Sequence, residues 1–194
     1  MGASVVGILL AAGRGRRFDP LGQRNKLLQL LPEAGGEPVV AASARKLLSV
    51  VDTVIAVVPP DDGGVGALLS ALGCEVTVCA DADSGMAASL VHAIRRSLPH
   101  DPAAWLVALG DMPRVAPATL RLLAEALAAG APIAAPVLDG RRGNPVGFGR
   151  VHLDALLALK GEQGARRLLQ TCPVTEVQVA DSGIFKDIDT PADL

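Results

Sequence analysis

The chain has 194 residues, 50 % of them hydrophobic, with 18 Lys and Arg against 20 Asp and Glu for a formal net charge of -2. That is enough apolar material for one well-buried domain and excludes a disordered chain. The missing basic excess, together with one Trp, three Phe and no Tyr, disfavours a nucleic-acid surface, which draws on cations and aromatic stacking.

The first predicted element is a strand over Ser4–Ala11. The apolar run that includes it, Val5–Ala12, is too short to cross a membrane, and no positive region precedes it as in a secretory leader. A soluble, cytoplasmic protein without membrane association is expected. The strand runs into Gly13-Arg14-Gly15-Arg16-Arg17-Phe18, with Lys26 shortly after. Gly13 and Gly15 permit tight turns and close approach of a ligand to the backbone, and exposed N–H groups in such a turn bind anions. Arg14, Arg16, Arg17 and Lys26 supply positive charge, although a solvated charge run is the simpler reading of Arg14 and Arg16. The loop lacks the third glycine of the dinucleotide fingerprint and contains no GxxxxGK[ST]. It suits a polyphosphate held by neither of those motifs.

Helical periodicity follows over Pro38–Leu48, then a strand over Thr53–Val58, a helix over Val65–Leu72 and a strand over Glu75–Cys79. A helix over Met86–Leu98 precedes the strand Trp105–Leu109. A helix over Ala118–Ala129 and a strand over Ile133–Pro136 come next. Helices over Leu153–Leu159 and Gly164–Gln170 and a strand over Val174–Val179 complete the series. Several strands are apolar throughout rather than alternating, as when helices cover both faces of a parallel sheet. The expected fold is therefore a single α/β domain over residues 1–194, a three-layer α/β/α sandwich with a mostly parallel, Rossmann-like sheet. Ligands of such sheets sit at the carboxyl ends of the strands.

Two acidic loops lie at such positions. Asp111 follows Trp105–Leu109 and Gly110 and precedes Pro113, which suits a Mg²⁺ ligand or, more simply, a turn cap. Asp187 and Asp189 lie two apart on one face of an extended segment, before a short helix opened by Thr190 and Pro191 that one of them would cap. The cysteines Cys74, Cys79 and Cys172 form no ligand or disulfide pattern and read as small buried hydrophobes. The histidines show no ligand spacing, and His92 reads as structural.

These residues resemble the nucleotidyltransferases of the molybdenum-cofactor group (MobA-like NTP transferases), especially the molybdopterin cytidylyltransferase branch. The matching segments are LAAGRGRRF (10–18) with Lys26, GMAASL (85–90), GDMP (110–113), RGNPVGF (142–148), GEQGAR (161–166) and DIDTPADL (187–194). The resemblance implies transfer of a nucleoside monophosphate, CMP from CTP, to the phosphate of molybdopterin with release of pyrophosphate. It implies Mg²⁺ on Asp111 and Asp189, and triphosphate and pyrophosphate neutralised by Arg17 and Lys26. Leu10, Ala11, Ala12, Gly13 and Gly15 would lie against the nucleotide. Gly85 and Ser89 would line its base and ribose, with Asp81 or Asp83 nearby. Asn144, Gly164 and Arg166 would face the pterin acceptor, and a recipient molybdoenzyme or its chaperone is an implied partner.

Relatives that use GTP usually read LAGG where this chain reads LAAG, so the methyl of Ala12 favours a pyrimidine. Phe18-Asp19 stands where the family often has Met-Gly, putting a negative charge near the phosphates. The alternatives are transfer to another phosphorylated small acceptor, use of GTP, an oxidoreductase-labelled relative, or a non-catalytic nucleotide-binding protein.

Overall fold

The structure, a computed structural model, describes residues 4–162 and 164–194. Its strands in chain order are β1 (Val5–Leu10), β2 (Leu30–Leu31), β3 (Glu37–Pro38), β4 (Val54–Val58), β5 (Glu75–Val78), β6 (Ala104–Leu109), β7 (Ile133–Leu138), β8 (Arg141–Arg142), β9 (Val146–Gly149) and β10 (Thr175–Gln178). The helices are α1 (Val39–Leu48), α2 (Val65–Ala71), α3 (Met86–Ser97), α4 (Pro117–Ala128), α5 (Leu153–Leu157) and α6 (Arg166–Thr171). The main sheet runs β5-β4-β1-β6-β9-β7-β10, with β8 paired to β7, while β2 and β3 form a separate small hairpin. All its pairings are parallel except those made by β8 and β9.

The continuously apolar strands are explained by the two layers they separate. Val6, Ile8, Ile55, Val57, Trp105 and Val107 point toward α3 and α5, where they meet Leu90, Ile94 and Leu156. Their neighbours Leu9, Val54, Ala56, Leu106 and Ala108 point the other way, onto Leu47 of α1, Leu69 of α2 and Leu123 of α4. Fully burying one such Leu or Ile contributes about 1.5–3 kcal/mol, so neither face of a central strand tolerates polarity.

Each predicted strand and helix is present, with shifts at the ends that have local causes. Pro38 does not open α1; at φ -59, ψ 142 it is extended and pairs with Leu30 in the β2–β3 hairpin. The last full helix starts at Arg166 rather than Gly164, because Gly164 takes a left-handed φ of 51. The expected helix after Thr190 is a single 3₁₀ turn, Pro191–Asp193. It is closed by Thr190 and Asp193 as a capping box, so neither Asp187 nor Asp189 is its cap.

Strand β9 is absent from the sequence reading. Its glycines hide the strand pattern, yet they are what lets it fit: a β-carbon on Gly147 would lie 2.3 Å from Leu127 Cδ1 of α4. His92 is structural as expected, with Nε2 at 2.8 Å from Thr77 Oγ1. Cys74 and Cys79 are buried free thiols, and burial pushes Cys74 up to about 11, away from nucleophilic chemistry. Cys172 is only half-buried. Among the described residues no helix is long and apolar enough to cross a membrane.

Trp105 is fully buried between β9 and α3, and its indole N–H donates to Ser97 Oγ at 2.8 Å. Ser97→Ala leaves that donor buried without an acceptor and is expected to cost about 1–3 kcal/mol. Urea unfolding followed by the fluorescence of Trp105, the sole tryptophan, measures the loss directly.

Candidate active site

The sheet's order reverses between β1 and β6, the place where open α/β sheets bind ligands. The two strands end level, with Leu10 opposite Leu109, so the loops that follow lie side by side. Gly110 seals the junction: its N–H donates to the Leu10 carbonyl at 2.9 Å, and a β-carbon there would sit 3.1 Å from that oxygen.

The glycine loop wraps around one lysine. Gly15 takes φ 58, the N–H groups of Phe18 and Asp19 both donate to its carbonyl, and its α-carbon faces the Lys26 stem. A β-carbon on Gly15 would stand 3.2 Å from Lys26 Cγ. Asn25 Oδ1 accepts from Leu27 N–H at 3.0 Å, starting the 3₁₀ turn that carries Lys26. Asp19 has a local role. Its carboxylate accepts from the N–H groups of Leu21, Gln23 and Arg24 at 3.0, 2.8 and 2.7 Å. Those bonds, Arg24's foremost, hold its carboxyl below the ordinary range. Its charge is thus engaged in shaping the loop.

Lys26 is only 9 % exposed and is the centre of the site. Its Nζ donates to Asp111 Oδ2 at 2.7 Å and to the Ile188 carbonyl at 3.0 Å. The Ile188 N–H in turn donates to the Asp111 carbonyl at 2.8 Å. Next along the chain, Asp189 Oδ2 lies 2.5 Å from Arg17 Nη1. Two cations and two carboxylates from three distant segments therefore meet beside the ends of β1 and β6. Asp111 is not a turn cap but the partner of a buried ammonium.

A cleft of about 310 Å³ opens above them. Of the residues expected at the nucleotide, Leu10, Ala11, Ala12, Gly13, Lys26, Gly85, Ser89 and Asp111 line it. Gly15, Arg17 and Asp189 flank it through the contacts just given. Asp81 does not line it; the residue two further on, Asp83, does. Asn144 faces a different, much smaller cavity, between Ser43 and Met112. Gly164 packs behind Met86, where a β-carbon on it would stand 3.5 Å from Met86 Sδ, and Arg166 is exposed at the start of α6. Gln163 of the GEQGAR segment lies outside the described residues.

The cleft also contains residues that the sequence reading set aside. Arg14 and Arg16, read as solvated, both line it, and Arg14 makes a two-pronged ion pair with Asp83 across its mouth. Met86 and Glu162 complete the opposite wall. That wall depends on Gly85, whose φ of 114 and missing β-carbon admit the Gly161 carbonyl; a β-carbon would stand 2.7 Å from it. The same carbonyl accepts from Ala87 N–H at 3.2 Å, joining two segments that the sequence shows far apart.

Among the described residues no group of three or more His, Cys, Asp or Glu converges. Asp111 and Asp189 are an oxygen-only pair on adjoining backbone. Such a pair suits a hard divalent cation that takes its other ligands from phosphate and water, as Mg²⁺ does in nucleotide sites. Sulfur- and nitrogen-seeking metals find no such donors here.

Residues 7–178 match the model of the MobA-like NTP transferase domain. The purine catabolism protein PucB of Bacillus subtilis is 30 % identical over 96 % of this chain and 92 % of its own. The crystal structure of Rv0371c from Mycobacterium tuberculosis is similar at 31 % identity and a TM-score of 0.83, over 100 % of this chain and 96 % of that one. Rv0371c has also been solved as a manganese complex, at 29 % identity, a TM-score of 0.76 and coverage of 98 % and 95 %. A nucleotidyl transferase from Methanothermobacter superposes with a TM-score of 0.79 at 28 % identity, over 99 % of this chain and 94 % of its own.

Gly85→Ala strains the backbone and pushes Gly161 from α3. It is expected to cost about 1–3 kcal/mol in thermal or urea unfolding. By moving Met86 and Glu162 it should also change the affinity of the cleft for a nucleoside triphosphate, measured by calorimetry.

Proposed function

The chain belongs to the MobA-like NTP transferase family, and we propose that it transfers CMP from CTP to the phosphate of a molybdopterin-type acceptor. The observation that carries this reading is the buried Lys26 ammonium beside Asp111, at the floor of a cleft walled by Ala11, Ala12 and Gly13. Cation, carboxylate and bare backbone at one strand end form a triphosphate site.

In the proposed reaction a phosphate oxygen of the acceptor attacks the α-phosphorus. The bond from that phosphorus to the bridging oxygen breaks, and pyrophosphate leaves. The nucleophile is already anionic, so no strong base is required; positioning and charge stabilisation supply the rate. The manganese complex of Rv0371c supports a divalent cation, and Asp111 and Asp189 are the residues that would hold it, as magnesium or manganese. When bound, it offsets triphosphate charge and polarises phosphate oxygens.

The remaining work falls to the protein. Lys26 is held rigidly enough to serve as a fixed donor to the triphosphate. Arg17, 79 % exposed in its side chain, is free to follow the departing pyrophosphate. Gly13 faces open space, where a β-carbon would meet nothing within 4 Å, so a phosphate can lie against the backbone. Gly85 and Ser89 line the base and ribose side. The acceptor enters along the wall of Met86 and Glu162, next to the segment that carries Gly164 and Arg166.

Ala12, 8 % exposed on the cleft wall, favours the smaller base. Asp111→Asn is expected to abolish pyrophosphate release while the far-UV circular dichroism stays that of the wild type. Retained release would remove Asp111 from the reaction. Ala12→Gly should raise the GTP-to-CTP ratio of kcat/KM by about 10–200-fold, the worth of one methyl group. The deciding assay measures pyrophosphate release with each nucleoside triphosphate and Mg²⁺, with and without molybdopterin cofactor. Release that needs CTP and the pterin supports the reading. Release that ignores the pterin, or that follows a sugar or alcohol phosphate, overturns the acceptor.

A further inference from the structure

Asp111 stands on the loop Gly110–Pro113 between β6 and α4, and both ends of that loop are held by α1. Ser43, 6 % exposed, donates its hydroxyl to the Gly110 carbonyl at 3.0 Å. One turn further along α1, Lys46 Nζ donates to the Pro113 carbonyl. Val40 of the same helix abuts Gly110, its Cγ2 standing 3.3 Å from where a β-carbon would be. Residues three and four apart share a helix face, so α1 presents Val40, Ser43 and Lys46 to the loop as one row.

Neither polar group is what the helix itself requires. The other acceptor near Ser43 is the Val39 carbonyl at 3.3 Å, within its own helix, and the shorter bond goes to the loop. Lys46 spends a partly buried ammonium on a neutral carbonyl, and burial pushes its pKa down despite Asp181 and Glu37 nearby. A methionine would fill that space without desolvating a charge. Both side chains line a separate cavity of about 10 Å³ behind the loop.

We infer that Ser43 and Lys46 are positioning residues for Asp111, pinning Gly110 and Pro113 so that the carboxylate between them meets Lys26 and the divalent cation. The inference rests on the reading of Asp111 as a ligand of that cation. Donors that orient a metal ligand from behind typically contribute 10–100-fold to metal affinity or activity.

The test is Mn²⁺ binding in the presence of saturating CTP, read from the electron paramagnetic resonance of free Mn²⁺, alongside thermal melting. Ser43→Ala and Lys46→Met are expected to weaken Mn²⁺ binding by about 10–100-fold. CTP binding without metal should stay near wild type, the melting temperature should fall no further than one lost buried hydrogen bond accounts for, and Lys46→Arg, which keeps the donor, should restore Mn²⁺ affinity. Wild-type Mn²⁺ affinity in both variants would overturn the inference. So would a loss that tracks a lowered melting temperature and is not restored by Lys46→Arg. Asp111→Asn separates the two levels: undiminished Mn²⁺ binding there overturns the cation reading itself, whatever Ser43 and Lys46 do.

Discussion

The ammonium of Lys26 is the constraint on which the rest of the site depends. A lysine this buried is tolerated only if its charge is paired and its donors are used. Here the partners come from Asp111 and from the backbone of Ile188, separated from Lys26 by 85 and 162 positions in the chain. One side chain thus ties together the glycine loop, the loop after β6 and the carboxyl-terminal segment. Removing Asp111 would leave an uncompensated buried charge and removing the Ile188 carbonyl an unused buried donor, so the lysine adds a polar constraint to the apolar packing of Phe18, Leu27, Met112 and Ile188.

The sheet supplies the place where such a knot can form. Because β1 and β6 are parallel neighbours in level register, the chain leaves both at the same height, with Gly110 against Leu10. The β4 and β5 strands extend from one side of β1, and β9, β7 and β10 continue from β6 on the other. The helices of the two layers diverge at that point and leave a crevice. The apolar strands build the crevice, and the short loops after them decide its chemistry.

Much of this was legible in the sequence for a physical reason. Strands buried on both faces must be continuously apolar, and helices that cover them must be amphipathic, so the order of elements could be read directly. Gly13 and Asp111 stood out because each follows a strand end, and Lys26 because it joins the cations of the first loop. Contacts between segments with no local signal were not legible. Arg14 reads as a surface charge until folding brings Asp83, 69 positions away, to face it. Asp81 and Asp83 are indistinguishable as residue types, and only the 3₁₀ turn over Ala82–Ser84 decides which one reaches the cleft. Strand β9 was hidden by the glycines that let α4 approach it. Asn144 sits in a motif whose backbone turns away from the cleft, its N–H bonded to the Ile184 carbonyl.

The formal charge of -2 conceals a more specific arrangement than near-neutrality suggests. At the cleft each of three cations has an acid: Arg14 with Asp83, Arg17 with Asp189, and Lys26 with Asp111. These pairs are not equivalent. The Arg14 and Arg17 side chains are 59 % and 79 % exposed, and exposed pairs are worth about 0–1 kcal/mol, so they exchange partners at little cost. The Lys26 side chain is 10 % exposed, and water cannot replace its partners. For the proposed reaction this difference divides the work. The exposed arginines can leave their carboxylates for incoming phosphates, freeing Asp189 for a cation. The buried lysine keeps the geometry of Asp111 fixed while charge moves past it. A site made only of exposed pairs would adapt without positioning, and one made only of buried pairs would position without admitting a polyanion.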